Sequence, residues 1–125
     1  MKDVVFKRTA EEPEVYTDER CHITELLNGP EDRTQSIAQA RVEPGITTSR
    51  HQLKATSEIY YILQGQGTIK LGDDYKKDLK TSDMVYIPAD KTQQITNTGK
   101  TDLIFLCICN PAFEPGCYID VEPHF

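Results

Sequence analysis

Positive charge is in short supply: 14 Lys and Arg stand against 20 Asp and Glu, leaving a formal net charge of −6. Nucleic-acid partners usually meet a basic face, so a nucleic-acid role is not expected. Cysteines number only four, Cys21, Cys107, Cys109 and Cys117. They are too few and too scattered for a disulfide-stapled mini-protein or a zinc ribbon. Cys107 and Cys109 fall on the same face of one strand, roughly 6.5–7 Å apart at Cα, which is poor geometry for a bond between them. Free thiols in a reducing compartment are the expectation. Long apolar runs are also missing. The longest, Leu103 to Cys109, is far too short to span a bilayer, so no membrane role is expected. No apolar run follows Met1-Lys2-Asp3, so no signal peptide is read and the cytoplasm is the expected location. Tryptophan is absent, as are internal repeats, low-complexity segments and any ten-residue stretch of helical period.

What remains, in 125 residues, fits one domain with one modest core. From Ser36 onward, short strand-like runs alternate with turn signals at Pro44-Gly45, Gly65-Gln66-Gly67, Gly72-Asp73-Asp74, Ala89-Asp90 and Thr98-Gly99-Lys100. Turns this frequent read as an all-β sandwich or barrel. Leu103 to Cys109 is apolar on both faces, so it should be covered on both sides. Tyr75 to Thr81 is polar, like a solvated edge. Before Ser36, Val4-Val5-Phe6 is expected as an edge strand and Glu11-Glu12-Pro13-Glu14 as an acidic turn. Cys21 to Leu27 reads as a strand or a turn of helix. The tail from Asn110 shows no strand or helix period, but Phe113, Tyr118, Ile119 and Val121 give it apolar anchors to pack as a cap.

The stretch from Gly45 to Gly65 carries the chemistry. His51 precedes Glu58 by seven residues, and Glu58 opens a run rich in β-branched and aromatic residues. Side chains two apart on a strand share a face, so Glu58, Tyr60 and Ile62 point one way. An imidazole and a carboxylate on adjacent strands are raw material for a metal site or an acid/base pair. A second stretch, Ser82 to Asn97, is a short apolar strand, a turn marked by Pro88 and another strand.

Together the two stretches resemble the cupin family, over roughly residues 35–111. Gly45, His51, Glu58 and Gly65 stand at the spacing of the family's first motif of Gly, His, His, Glu and Gly, with Leu53 where the second His would be. Pro88 and Asn97 stand at the spacing of its second motif of Gly, Pro, Gly, His and Asn. There Ser82 and Asp90 replace the glycines and Gln93 replaces the His. The resemblance implies an all-β double-stranded β-helix, a jelly-roll-like barrel. It would have a core at about 35–111, an N-terminal arm at 1–34 that in many cupins pairs with a second subunit, and a C-terminal cap at 112–125. It also implies a divalent metal ion, such as Zn, Mn, Ni or Fe, held by His51, Glu58 and Gln93.

Each candidate has a plain alternative. Gln93 could ligate weakly through its amide oxygen, or serve as a pocket amide bonded to Glu58 or to a ligand with no metal. Tyr60, Tyr86 and Cys107 are candidate substrate-binding residues, or ordinary core. One His and one carboxylate fall short of the triad used by oxygen-activating iron enzymes. The leading expectation is thus a small cupin whose metal polarises a small polar substrate in isomerase, lyase or cyclase-like chemistry. The alternatives are a metal-free cupin that binds or senses a small molecule, and a structural dimer with a vestigial pocket. A homodimer is expected, because the apolar strand and the arm would otherwise leave large exposed patches.

Overall fold

The structure, a computed structural model, describes residues 3–123. Its strands are β1 (Glu14–Tyr16), β2 (His22–Leu27), β3 (Ser36–Val42), β4 (His51–Leu53), β5 (Ser57–Gln64), β6 (Gln66–Leu71), β7 (Tyr75–Lys80), β8 (Met84–Ile87), β9 (Gln93–Asn97), β10 (Leu103–Asn110) and β11 (Tyr118–Asp120). They form two antiparallel sheets, ordered β1-β2-β3-β10-β5-β8 and β11-β4-β9-β6-β7. This is the expected double-stranded β-helix. No helix among the described residues is long and apolar enough to cross a membrane.

Alternation decides what faces inward. On β10, Leu103, Phe105 and Cys109 are buried, whereas Ile104, Leu106 and Ile108 on the outer face are half-buried. β10 pairs with β3 on one edge and β5 on the other, so it is an interior strand of its sheet whose inner face meets the core and whose outer face is only half-covered. Phe105, Ile62, Ile69, Ile87, Ile95, Leu103 and Val42 form the driest part of the core. Each large apolar side chain there contributes roughly 1.5–3 kcal/mol by leaving water.

The motif positions have structural causes. Gly65 turns from β5 into β6 with φ +87°, a left-handed conformation that favours glycine. A Cβ there would lie 2.8 Å from the Asp102 carbonyl oxygen. Asn97, fully buried, clamps the far end of the barrel. Its amide nitrogen donates to the carbonyls of Val42 (2.9 Å) and Thr101 (2.8 Å), and its amide oxygen accepts from the Gly99 N–H (2.8 Å).

Two local expectations change, and a third, a strand or a turn of helix after Cys21, resolves to the strand. Val4-Val5-Phe6 forms no strand, and Val4 and Phe6 are exposed. The segment after Cys21 is a strand, β2. With β1 it extends this chain's own six-stranded sheet, held there by Arg41, which donates to both Glu14 carboxylate oxygens at 2.7 and 3.0 Å. The tail is more regular than its sequence: a 3-10 turn at Pro115–Cys117 leads into β11, which pairs with β4 across Tyr118↔Leu53 and Asp120↔His51. Three residues are too few to show a period, so only the partner strand reveals it. Residues 124 and 125 of the tail lie outside the described residues.

Candidate functional site

Between the sheets lies a cavity of about 490 Å³. β4 brings His51 to its wall, and β5 brings Glu58 and Tyr60. β10 adds Cys107 and Cys109, and much of the remaining wall is apolar, including Leu53, Ile95 and Phe105.

His51 is held on three sides. Its Nδ1 donates to the Ser49 carbonyl at 2.9 Å. Its ring stacks on Tyr118, with centroids 4.7 Å apart and planes 18° apart. The Glu19 carboxylate stands 3.9 Å from Nδ1. With Nδ1 committed as donor, the neutral ring presents Nε2 as an acceptor.

Glu58 is buried, at 7% exposure. Its Oε2 accepts from the Cys109 thiol at 3.5 Å, and its Oε1 has no hydrogen-bond partner among the described residues. Burial is the main cause that pushes its pKa up to about 7, with the nearby Glu19 charge adding to it. The Cys109 thiol and the Gln93 amide pull the other way, without placing a hydrogen bond on Oε1. Glu19 is itself raised by burial, against the pull of His51 and Tyr118. The thiol of Cys107 is pushed well up by burial and by Glu58, so it stays protonated and makes a poor nucleophile.

Gln93 sits opposite His51 in the β4–β9 pairing but is not part of the cavity wall. Its Oε1 accepts from the Tyr60 hydroxyl at 2.5 Å, so the oxygen that would ligate an ion already serves Tyr60. Among the described residues, no three His, Cys, Asp or Glu side chains come together as a metal site. Leu53 lines the wall where a second imidazole would be needed. Of the three expected ligands this leaves one imidazole and one carboxyl, too few donors to hold a divalent ion.

Tyr86 does not serve the cavity. On β8, Val85 and Ile87 point inward, so Tyr86 points outward and is 55% exposed. Its closeness to Pro88 in sequence hides that parity. Two residues of the site carry no signal in either motif: Glu19, from the turn before β2, and Tyr118, from the tail. Tyr118 shows in the sequence only as one of the tail's apolar anchors, and nothing singles out Glu19.

The family model for the cupin domain matches residues 38–109. An uncharacterized protein of Methanocaldococcus jannaschii is 39% identical over 80 residues, covering 64% of this chain and 63% of that protein. An oxalate-binding protein of Thermotoga maritima is 33% identical over 79 residues, covering 62% and 63%. The matches thus span just under two thirds of each relative's own length. The crystal structure of a predicted oxalate decarboxylase from Thermotoga maritima superposes with a TM-score of 0.76 at 25% identity, over 87% of this chain and 99% of that one.

Proposed function

This chain belongs to the cupin family, and from that premise we propose that it binds a small molecule in the barrel cavity, anchored by Glu58 and not by a metal ion. One observation carries the reading: Glu58 lines the cavity, and its buried Oε1 has no hydrogen-bond partner among the described residues. A buried carboxylate oxygen left without a donor is unfavourable, and a bound molecule that offers a donor would relieve it. Tyr60 at the wall and Gln93 behind it then act as a fixed pair, and His51 Nε2 supplies an acceptor on the opposite sheet.

The metal-dependent reading, with an ion at His51, Glu58 and Gln93 supporting isomerase, lyase or cyclase-like chemistry, is weaker because the Gln93 oxygen is taken and Leu53 replaces an imidazole. A second reading draws on the Glu58 pKa near 7. A carboxyl poised there can give or take a proton at neutral pH, so metal-free proton transfer on the bound molecule is compatible with the same site.

We also propose a homodimer through the outer face of the six-stranded sheet, where Tyr61, Leu63, Met84 and Tyr86 are exposed beside half-buried Leu106. Four unpaired cysteines suit the cytoplasm.

Equilibrium dialysis against zinc, manganese, nickel and ferrous iron, followed by elemental analysis, tests the metal question. The expected result is no stoichiometric metal and a melting temperature that a chelator leaves unchanged. One retained equivalent that is lost in His51→Ala would overturn the reading.

A further inference from the structure

We propose that the cavity selects a small ammonium-bearing molecule: a cationic amine on an apolar body, with the amine against Glu58. This rests on the ligand-binding reading above and names the ligand class.

Charge comes first. Among the described residues no Lys or Arg lines the cavity, while five carboxyl side chains do: Asp18, Glu19, Glu25, Glu58 and Asp120. Asp18, Glu25 and Asp120 are exposed and stand at its open side, Glu19 is largely covered, and Glu58 is buried at the wall. The nearby arginines hold their hydrogen-bond partners outside the lining, although Arg20 also feels the charge of Asp120 at the rim. Arg20 donates to Glu122 at 2.8 Å, and Arg50 donates to Asp73 at 3.0 Å. Like charge lining a concave, low-dielectric site repels an anion, and the same field concentrates a cation.

The second observation is independent of the charge count. Glu58 Oε1 is a buried acceptor with nothing donating to it among the described residues, and Leu53 stands where a second imidazole would share an ion with it. An ammonium group supplies up to three N–H donors and a full positive charge from one atom. It satisfies Oε1 and offsets the desolvated carboxylate together, which a neutral hydroxyl does only in part. Ile23, Ala38, Ala40 and Phe105, on neighbouring strands of the same sheet, give apolar cover for the rest of such a molecule. The same chemistry argues against oxalate here: a dianion would enter with no cationic side chain to receive it, whatever the Thermotoga relative binds.

The test is calorimetric titration and thermal shift at pH 8 on chelator-treated full-length protein. Four probes are compared: benzylammonium, its neutral match benzyl alcohol, its anionic match benzoate, and oxalate. Benzylammonium is expected to bind saturably and raise the melting temperature. Benzyl alcohol is expected to bind at least about tenfold more weakly, the scale of one charge-assisted hydrogen bond, and benzoate and oxalate not at all. Glu58→Gln should lose about tenfold or more for benzylammonium while leaving benzyl alcohol within about twofold. If that variant does not fold, Glu19→Gln, at the largely covered neighbouring carboxyl, should lose several-fold for benzylammonium alone. Tighter binding of benzoate or oxalate, ammonium binding indifferent to both variants, or no saturable binding of any probe would overturn the proposal. Benzyl alcohol bound as tightly as benzylammonium would overturn the ligand class yet leave the metal-free reading standing. That reading fails separately, on a retained metal equivalent.

Discussion

A buried carboxyl short of donors destabilises a fold whenever it is ionised, and Glu58, with only the Cys109 thiol on Oε2 and nothing on Oε1 among the described residues, makes that measurable. Its pKa is raised from an ordinary 4.5 to about 7, so the folded state holds a proton that the unfolded chain has already released between those values. Stability from this residue is therefore fully present below pH 4.5 and is lost as pH rises through 7. At roughly 1.4 kcal/mol per pKa unit, the loss is on the order of 3 kcal/mol. Glu58→Gln, which cannot ionise, should match the wild type near pH 4 and be more stable by about that amount at pH 8, read from urea denaturation at both values. Equal stability at pH 8 would mean that the carboxyl is not desolvated. His51 and Glu58 were legible in the sequence as inward-facing chemistry because their spacing is the family's own. The engagement of Gln93 with Tyr60 was not, since it depends on a contact between two sheets 33 positions apart in the chain.

At the scale of elements, the turns keep the backbone of the cupin motif even where its glycines are gone. Ser82 and Asp90, which replace two of them, hold φ of +76° and +68°, the left-handed region where an L-residue is strained. Asp90 offsets this in part, its carboxylate accepting from the Ala55 N–H at 3.0 Å. Ser82 has no side-chain hydrogen bond of this kind. Ser82→Gly is therefore expected to stabilise the protein by about 0.5–1 kcal/mol, strain relief of 1–2 less the entropy that glycine adds to the unfolded chain. Asp90→Gly should be neutral or destabilising, and chemical denaturation of the pair distinguishes them. A destabilised Ser82→Gly would contradict the assigned turn. Strand existence was readable from alternation and punctuation in most of the chain, because half-buried strands write their burial into a period of two. It failed at β11, which is too short to show a period, and at Val4-Val5-Phe6, where apolar residues find no strand to pair with. It also misled at Tyr86, where one position of parity moves a side chain from cavity to surface.

At the scale of the molecule, the outer face of the six-stranded sheet leaves several large apolar side chains uncovered. Tyr61, Leu63, Met84 and Tyr86 are each more than a third exposed, on the strands that flank and follow β10. Patches of this kind are uncommon on monomers. Light scattering at micromolar concentration should return twice the chain mass of 14.2 kDa, and Leu106→Glu on that face should return it to a monomer with the cavity intact. A wild-type mass near 14.2 kDa would leave the face to some other role. The arm adds little to this face, since β1 and β2 are spent extending the chain's own sheet.

The central claim is that Glu58, with Oε1 left unpaired among the described residues, is a desolvated anchor waiting for a ligand's donor, and its carboxyl carbon resonance reports on it directly. In chelator-treated protein labelled at glutamate, titration should place its midpoint near 7. Saturation with benzylammonium should drive that midpoint down, because a cation favours the ionised form. A midpoint at an ordinary carboxylate value, unmoved by the amine, would contradict the account.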